Sequence, residues 1–330
     1  MLNPKLSLLK ADTLELHYWF NDNSHTIDAV IQNRCEFELL GIIKEIALIF
    51  DAEIIIETEP FAEGGFKRWL KIVSKSEKKS AFITTAILLA LLSGIIVTPI
   101  TTSISKITEK LIENIFEDKE LTELKKGKYR AEIEYLKLDS ELKRQILNQN
   151  NAIIKKRSNF YESLDKYPKI TKVSIVTEDC KKNPLSDEIE ISRDNFKDYI
   201  LVSDILNPIE IDNAVIEIIS PVLKKGNYKW RGIYNGVTLS FIMKSIEFKT
   251  LVQSGDIEFK NGSSINCFLE IERKINNDGT EQIINYNIIR VNEYFENDKP
   301  IETPEGKFHR QKREADKDQF KISFENNINQ

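Results

Sequence analysis

Ser80-Ala-Phe-Ile-Thr-Thr-Ala-Ile-Leu-Leu-Ala-Leu-Leu-Ser-Gly-Ile-Ile-Val-Thr-Pro-Ile-Thr-Thr-Ser-Ile-Ser105 is a run of 26 residues without a charge, in a 330-residue chain where 30% of residues are charged. A helix rising about 1.5 Å per residue needs roughly 20 apolar residues to cross a hydrocarbon layer of about 30 Å. The run is long enough to cross once and too short to cross twice. It therefore reads as one membrane-inserted helix, with Phe82, Ile87, Leu88, Leu91, Leu92, Ile95 and Val97 as its embedded positions. Hydroxyl residues, Gly94 and Pro99 dilute it, and membrane helices tolerate such residues. The same composition also suits a buried core helix. The structured-looking stretch before the run argues against a cleavable signal peptide.

Working outward, basic residues crowd the N-terminal flank at Lys67, Arg68, Lys71, Lys75, Lys78 and Lys79, and thin out on the other side. Basic residues stay cytoplasmic, so residues 1–79 are expected in the cytosol and the chain in the cytoplasmic (inner) membrane. The cluster could also lean on anionic lipid headgroups or be an ordinary solvated face. The overall charge of −5 carries no global nucleic-acid signal. Cys35, Cys180 and Cys267 form neither a disulfide framework nor a zinc cluster.

Residues 1–79 read as a small α/β unit. A strand over 13–22 is followed by a helix capped by Ser24, with Ile27, Val30, Ile31, Cys35, Ile42, Ile43 and Ile46 as its apolar positions, then by strands near 52–57 and up to Val73. Residues 106–168 suggest amphipathic helices broken near Gly127. From 169 to 295, β-branched runs alternate with the turn signals Asn235-Gly236 and Asn277-Asp278-Gly279, and 244–254 looks helical. That texture predicts an antiparallel, β-rich ligand- or partner-binding domain. Residues 296–330 lose apolar periodicity and read as a polar, mobile tail. The whole is an α+β chain.

Enzyme signatures are scarce: there is no phosphate-cradling Gly-rich loop, no Gly-x-Ser-x-Gly elbow and no His-Glu-x-x-His pair. His17 and His25 lie near Asp22 and Asp28, but the structural role outweighs a metal or acid–base one. The expectation is a non-enzyme without cofactor or metal. The strongest binding signal is Lys224-Lys225-Gly226-Asn227-Tyr228-Lys229-Trp230-Arg231. Cations neutralise phosphates and aromatic faces stack bases, so Lys224, Lys225, Tyr228, Lys229, Trp230 and Arg231 are the candidate ligand residues. Strand alternation would put Tyr228 and Trp230 on one face and Lys229 and Arg231 on the other, which equally suits core aromatics with solvent-facing charges.

Trp19-Phe20-Asn21-Asp22, Ser24-His25-Thr26-Ile27-Asp28-Ala29, Asn33-Arg34-Cys35-Glu36 and Phe66-Lys67-Arg68-Trp69, with the apolar run and the Lys224–Gly236 stretch, resemble a group of bacterial anti-phage membrane effectors, those of Hailong-type defence. The likeness covers most of the chain in domain order and rests on no catalytic motif. It implies a homo-oligomer in the lipid bilayer, held silent by a short single-stranded DNA ligand from a partner nucleotidyltransferase and opening a pore when released. No binding residue is carried over from the family. The alternative is a non-channel, membrane-anchored binding or scaffold protein, and a third reading is a soluble binding module with a buried apolar helix. A single pass would place 106–330 outside, so a DNA-gated effector needs a re-entrant segment, insertion only on activation, or a ligand site in 1–79.

Overall fold

The structure, a computed structural model, describes residues 11–22, 26–58, 66–75, 81–99, 146, 150–224, 226, 228–260, 262–296 and 299–328. The chain is a mixed α+β protein of two compact units, one of 1–202 with 276–280 and the other of 203–275 with 281–330.

In the first unit, alternation along β1 (Thr13–Phe20) sends Leu14, Leu16 and Tyr18 into the core. Helix α1 (Ala29–Ile49) covers that face with Cys35, Leu39, Ile42, Ile43 and Ile46, spaced three or four apart so that they share one stripe. Its cap is Asp28 rather than Ser24, which lies outside the described residues; Asp28 Oδ1 accepts from the amides of Val30 and Ile31 at 2.8 and 3.2 Å. Strands β2 (Ile54–Thr58) and β3 (Phe66–Ser74) follow, then α2 (Ala81–Val97), α3 (Asn151–Asp165), β4 (Ile170–Glu178), β5 (Ile189–Ser192) and a 3-10 helix over Arg193–Tyr199. The sheet is antiparallel with order β2-β3-β1-β4-β5. Leaving β5 aside, this is a split β-α-β arrangement with the helices between β1 and β2 and between β3 and β4.

The expected boundary near residue 168 therefore moves to 202/203. Strand β4 belongs to the first sheet because it pairs with β1, Leu16 opposite Ile175 and Leu14 opposite Thr177. Of the region expected to be amphipathic, residues 106–145 and 147–149 lie outside the described residues. Helix α3 is a core helix, with Ile153, Phe160, Tyr161 and Leu164 buried.

The second unit is a closed five-stranded barrel with an added strand. Its strands are β6 (Ile205–Ser220), β7 (Trp230–Tyr234), β8 (Val237–Met243), β9 (Ser264–Ile275) and β10 (Glu281–Glu296), hydrogen-bonded in the order β6-β7-β8-β10-β9 and back to β6. The β8–β10 pairing is parallel, so the domain is not wholly antiparallel as expected. Helix α4 (Ile246–Ser254) joins β8 to β9 and packs Phe248 and Val252 into the barrel core against Trp230 and Phe241. Ser245 caps it, and Gly255 ends it at φ +86. Asn235 and Gly236 both take positive φ, 49° and 77°, as the tight β7–β8 turn requires. Beyond residue 296 the expected mobile tail instead carries β11 (Lys299–Glu302), paired with β10, and the helix α5 (Pro304–Ile328).

Candidate functional site

Helix α2 is the expected membrane segment, and it is a helix; the rest of the run, from Ile100, lies outside the described residues. Its 17 residues make about 25 Å of helix, short of a hydrocarbon layer of about 30 Å. Among the described residues no helix is long and apolar enough to cross a membrane. Ile87, Leu88, Leu91, Leu92, Ile95 and Val97 are all buried within the single chain, as are Ala86, Leu89, Ala90 and Ile96. The Phe82 side chain lies outside the described ones. The physical reason is symmetry: a helix apolar on every side needs apolar neighbours all round, and α1, α3 and the inner sheet face supply them.

Its C-terminal end is held by a cluster that the sequence reading did not single out. The last carbonyls of a helix have no intrahelical donor. Here Gly94 O accepts from Thr98 Oγ1 at 2.6 Å, Ile96 O from Tyr161 Oη at 2.8 Å and Val97 O from Tyr199 Oη at 3.1 Å. Arg157 Nη1 donates to Ile95 O at 3.3 Å and Thr98 O at 2.8 Å. Arg157 is only 2% exposed, has no carboxylate partner among the described residues, and its Nε is unsatisfied. Burial lowers its pKa to about 10, and the carbonyls at the negative end of the α2 dipole compensate its charge. The Tyr161 and Tyr199 rings stack 4.3 Å apart, so the clamp is a packed unit.

Half of the basic flank is neutralised among the described residues. Lys67 pairs with Glu15 at 2.7 Å, Arg68 with Glu36 at 2.8 Å and Lys71 with Glu57 at 3.7 Å, all from strand β3. Lys75 follows that strand, while Lys78 and Lys79 lie outside the described residues. Three of the six are thus tied to carboxylates rather than presented as a free basic patch.

The candidate ligand residues fall in the β6–β7 loop and the start of β7, and the structure divides them. Trp230 is fully buried, its ring within 6.5 Å of the Phe241, Phe248 and Phe259 rings, and cannot stack a ligand. Tyr228 precedes the strand, escapes its alternation and is 52% exposed, with Lys224 Nζ 5.9 Å from its ring centre. Lys229 donates to Asn285 Oδ1 at 2.9 Å, and Arg231 is exposed on the outer barrel wall opposite Ser240. Lys225 lies outside the described residues. Lys249 on α4 donates to Gly226 O at 2.6 Å and so joins the loop. Among the described residues no carboxylate lies within ion-pairing distance of Lys224, Lys229, Arg231 or Lys249, whereas Lys244 is held by Glu270 and Glu272. Lys224 beside the open Tyr228 ring, with Lys229, Arg231 and Lys249 on the loop, strand and helix that adjoin it, can neutralise phosphates and stack a base.

A second polar cluster lies on the sheet face away from the helices. Trp69 Nε1 donates to Glu178 Oε2 at 3.1 Å. Burial, with the neighbouring Glu15 carboxyl, pushes the Glu178 carboxyl up to about 7. His17 stacks on Trp19 with ring centres 4.0 Å apart, a structural role, and burial lowers its pKa. His25 lies outside the described residues, and no metal-binding group of three appears among the described ones.

No family model, curated protein or solved structure matches this chain.

Proposed function

We propose that the chain is an oligonucleotide-gated effector in which the barrel senses the ligand and α2 is stored in the core for delivery to a bilayer. The observation that carries the sensing half is connectivity. Five strands closed as first-second-third-fifth-fourth, with third and fifth parallel and a helix between third and fourth, follow the OB-type barrel. Such barrels take oligonucleotides or oligosaccharides on the second and third strands and the loop between the first two. Lys224, Tyr228 and Lys229 fall on that loop and Arg231 on the second strand, which favours the nucleic acid over the sugar.

The membrane half rests on α2, whose composition suits lipid while its surroundings sheathe it. In this reading the chain acts without catalysis as a homo-oligomer at the cytoplasmic membrane, and a partner nucleotidyltransferase supplies the ligand. Insertion follows activation, which removes the need for a re-entrant segment. The direct burial of α2 equally favours a binding module in which it never leaves the core.

Two measurements on the full chain test the halves separately. Labelled single-stranded DNA of about 12 nucleotides should bind with an affinity that falls as salt rises. Binding that ignores salt, or survives Lys224→Ala/Lys229→Ala/Arg231→Ala unchanged, removes the sensing half. The Tyr161→Phe/Tyr199→Phe double variant should release dye from anionic phospholipid vesicles faster than the parent. Loss of stability without leakage assigns α2 permanently to the core.

A further inference from the structure

A polar cleft of about 270 Å³ opens in the second unit between α5 and the strands β6, β9, β10 and β11. Two irregularities in the barrel wall build it. The β6–β9 register slips between Ile211 and Ala214, which leaves Asn213 in a left-handed conformation at φ +61. The β9–β10 register slips between Val291 and Glu293, beside Asn292. Extra residues of this kind re-aim side chains out of the regular pleat. Gly306 then lets α5 lie against the strand, since a Cβ there would meet Asn292 O at 2.1 Å.

The groups in the cleft are only partly spent on one another. Asn292 Nδ2 donates to Asn266 Oδ1 at 3.1 Å and to Asn213 Oδ1 at 3.4 Å, so those two carboxamides keep their own N–H groups unused. Arg313 is held by Asp212 at 3.2 Å, and Arg310 by Glu302 at 2.8 Å and Glu314 at 3.3 Å. Glu293 stands in register opposite Glu302, and Arg310 reaches Glu302 but not Glu293. Like charges opposite one another weaken a strand pair unless a cation intervenes. Burial and the neighbouring arginines hold the His309 imidazole below its usual pKa. Four carboxylates thus face three guanidiniums, since Arg290 also pairs with Asp212 at 3.1 Å, and Glu293 is the carboxylate left without a cation among the described residues.

We propose that this cleft binds a small ligand bearing an ammonium or guanidinium group, with Glu293 as its counter-ion and the Asn213 and Asn266 amides donating to its oxygen atoms where it has them. Its charge is opposite to that of the β6–β7 loop, so it takes a different class of ligand and stands or falls independently of the oligonucleotide reading.

Agmatine, which carries both cationic groups, is the probe, titrated calorimetrically into the full chain at low salt with sodium chloride as the ionic-strength control. Saturable binding at one site, weakened at least tenfold in Glu293→Gln, is the expected result. Asn213→Gly supplies the second readout with sodium acetate as an oxygen-bearing counter-probe: the substitution suits the left-handed backbone, so folding is retained while one amide donor is lost. Absence of saturable agmatine binding, or equal binding by parent and Glu293→Gln, overturns the proposal. Preference for acetate over agmatine, abolished in Asn213→Gly, overturns it too, because the cleft would then serve an anion.

Discussion

Two clusters in this chain use the same side-chain types for opposite ends. In the first unit, Arg157, Tyr161 and Tyr199 turn inward and spend their donors on four backbone carbonyls at the end of α2. In the second, Lys224, Tyr228, Lys229 and Arg231 turn outward, and no carboxylate pairs with their cations among the described residues. A cation beside an aromatic ring is therefore not a binding signal in itself. What decides its use is whether unsatisfied backbone oxygen lies within reach. A helix end buried in the core makes that demand on each of its donors, whereas in the rim cluster only Lys249 is drawn to a loop carbonyl.

The comparison breaks most readily inside the first unit. Leu91→Arg places an unpaired charge among buried apolar neighbours and should cost more than about 4 kcal/mol, read as loss of a cooperative urea transition. If the variant instead folds with its parent's stability, α2 is not sheathed. Trp230→Ala, the corresponding cut in the barrel core, should cost about 3–5 kcal/mol in the same assay. A small cost with selective loss of DNA binding would return Trp230 to the ligand site. Tyr161→Phe leaves Ile96 O without its donor and should cost about 1–3 kcal/mol.

Glu178 gives the pH dependence. Its folded pKa of about 7 lies above the 4.5 of an ordinary glutamate, so folding favours the protonated carboxyl. The stability it contributes is complete below the unfolded pKa and is lost as pH rises through about 7. Urea midpoints of the parent should fall across that window relative to Glu178→Gln; parallel profiles would show that Glu178 does not titrate there. The smallest stability effect belongs to the outward cluster: Tyr228→Ala should stay within about 0.5 kcal/mol. In the DNA titration the same change should weaken binding by about 1–3 kcal/mol where a base stacks on the ring.

Much of the fold was legible because it depends on local pattern. The strand over Val237–Met243, the Asn235-Gly236 turn and the helix near 244–254 all come from alternation, turn chemistry and capping within a few residues. The fate of α2 was not legible. An apolar helix without a polar face reads alike in lipid and in a core, and only the rest of the fold separates the two. Tyr161 and Tyr199, which meet its end, lie 65 and 102 residues from the carbonyls they bind. Trp230 and Tyr228 share strand parity in the sequence, yet β7 begins at Trp230, so the rule binds one and not the other. The cleft under α5 was hidden for a related reason: its asparagines converge through register slips in β6 and β10, both against β9. Recognition of Arg157 as a structural cation would have needed the observation that the helix bearing Lys155, Lys156 and Arg157 also carries Ile153, Phe160 and Leu164 on the core side.

The separation between α2 and its clamp also sets a clock. A ribosome adding roughly 5–20 residues per second completes α2 about 5–20 s before Tyr199 exists to receive Val97. During that interval the most apolar segment of the nascent chain has neither its final carbonyl partners nor β4 beside it. Whatever meets it first, a chaperone, a targeting factor or a bilayer, competes with a sheath still being synthesised. For this helix, burial in the core is a race as well as an equilibrium, and slower translation between residues 98 and 199 lengthens the interval before its clamp is complete.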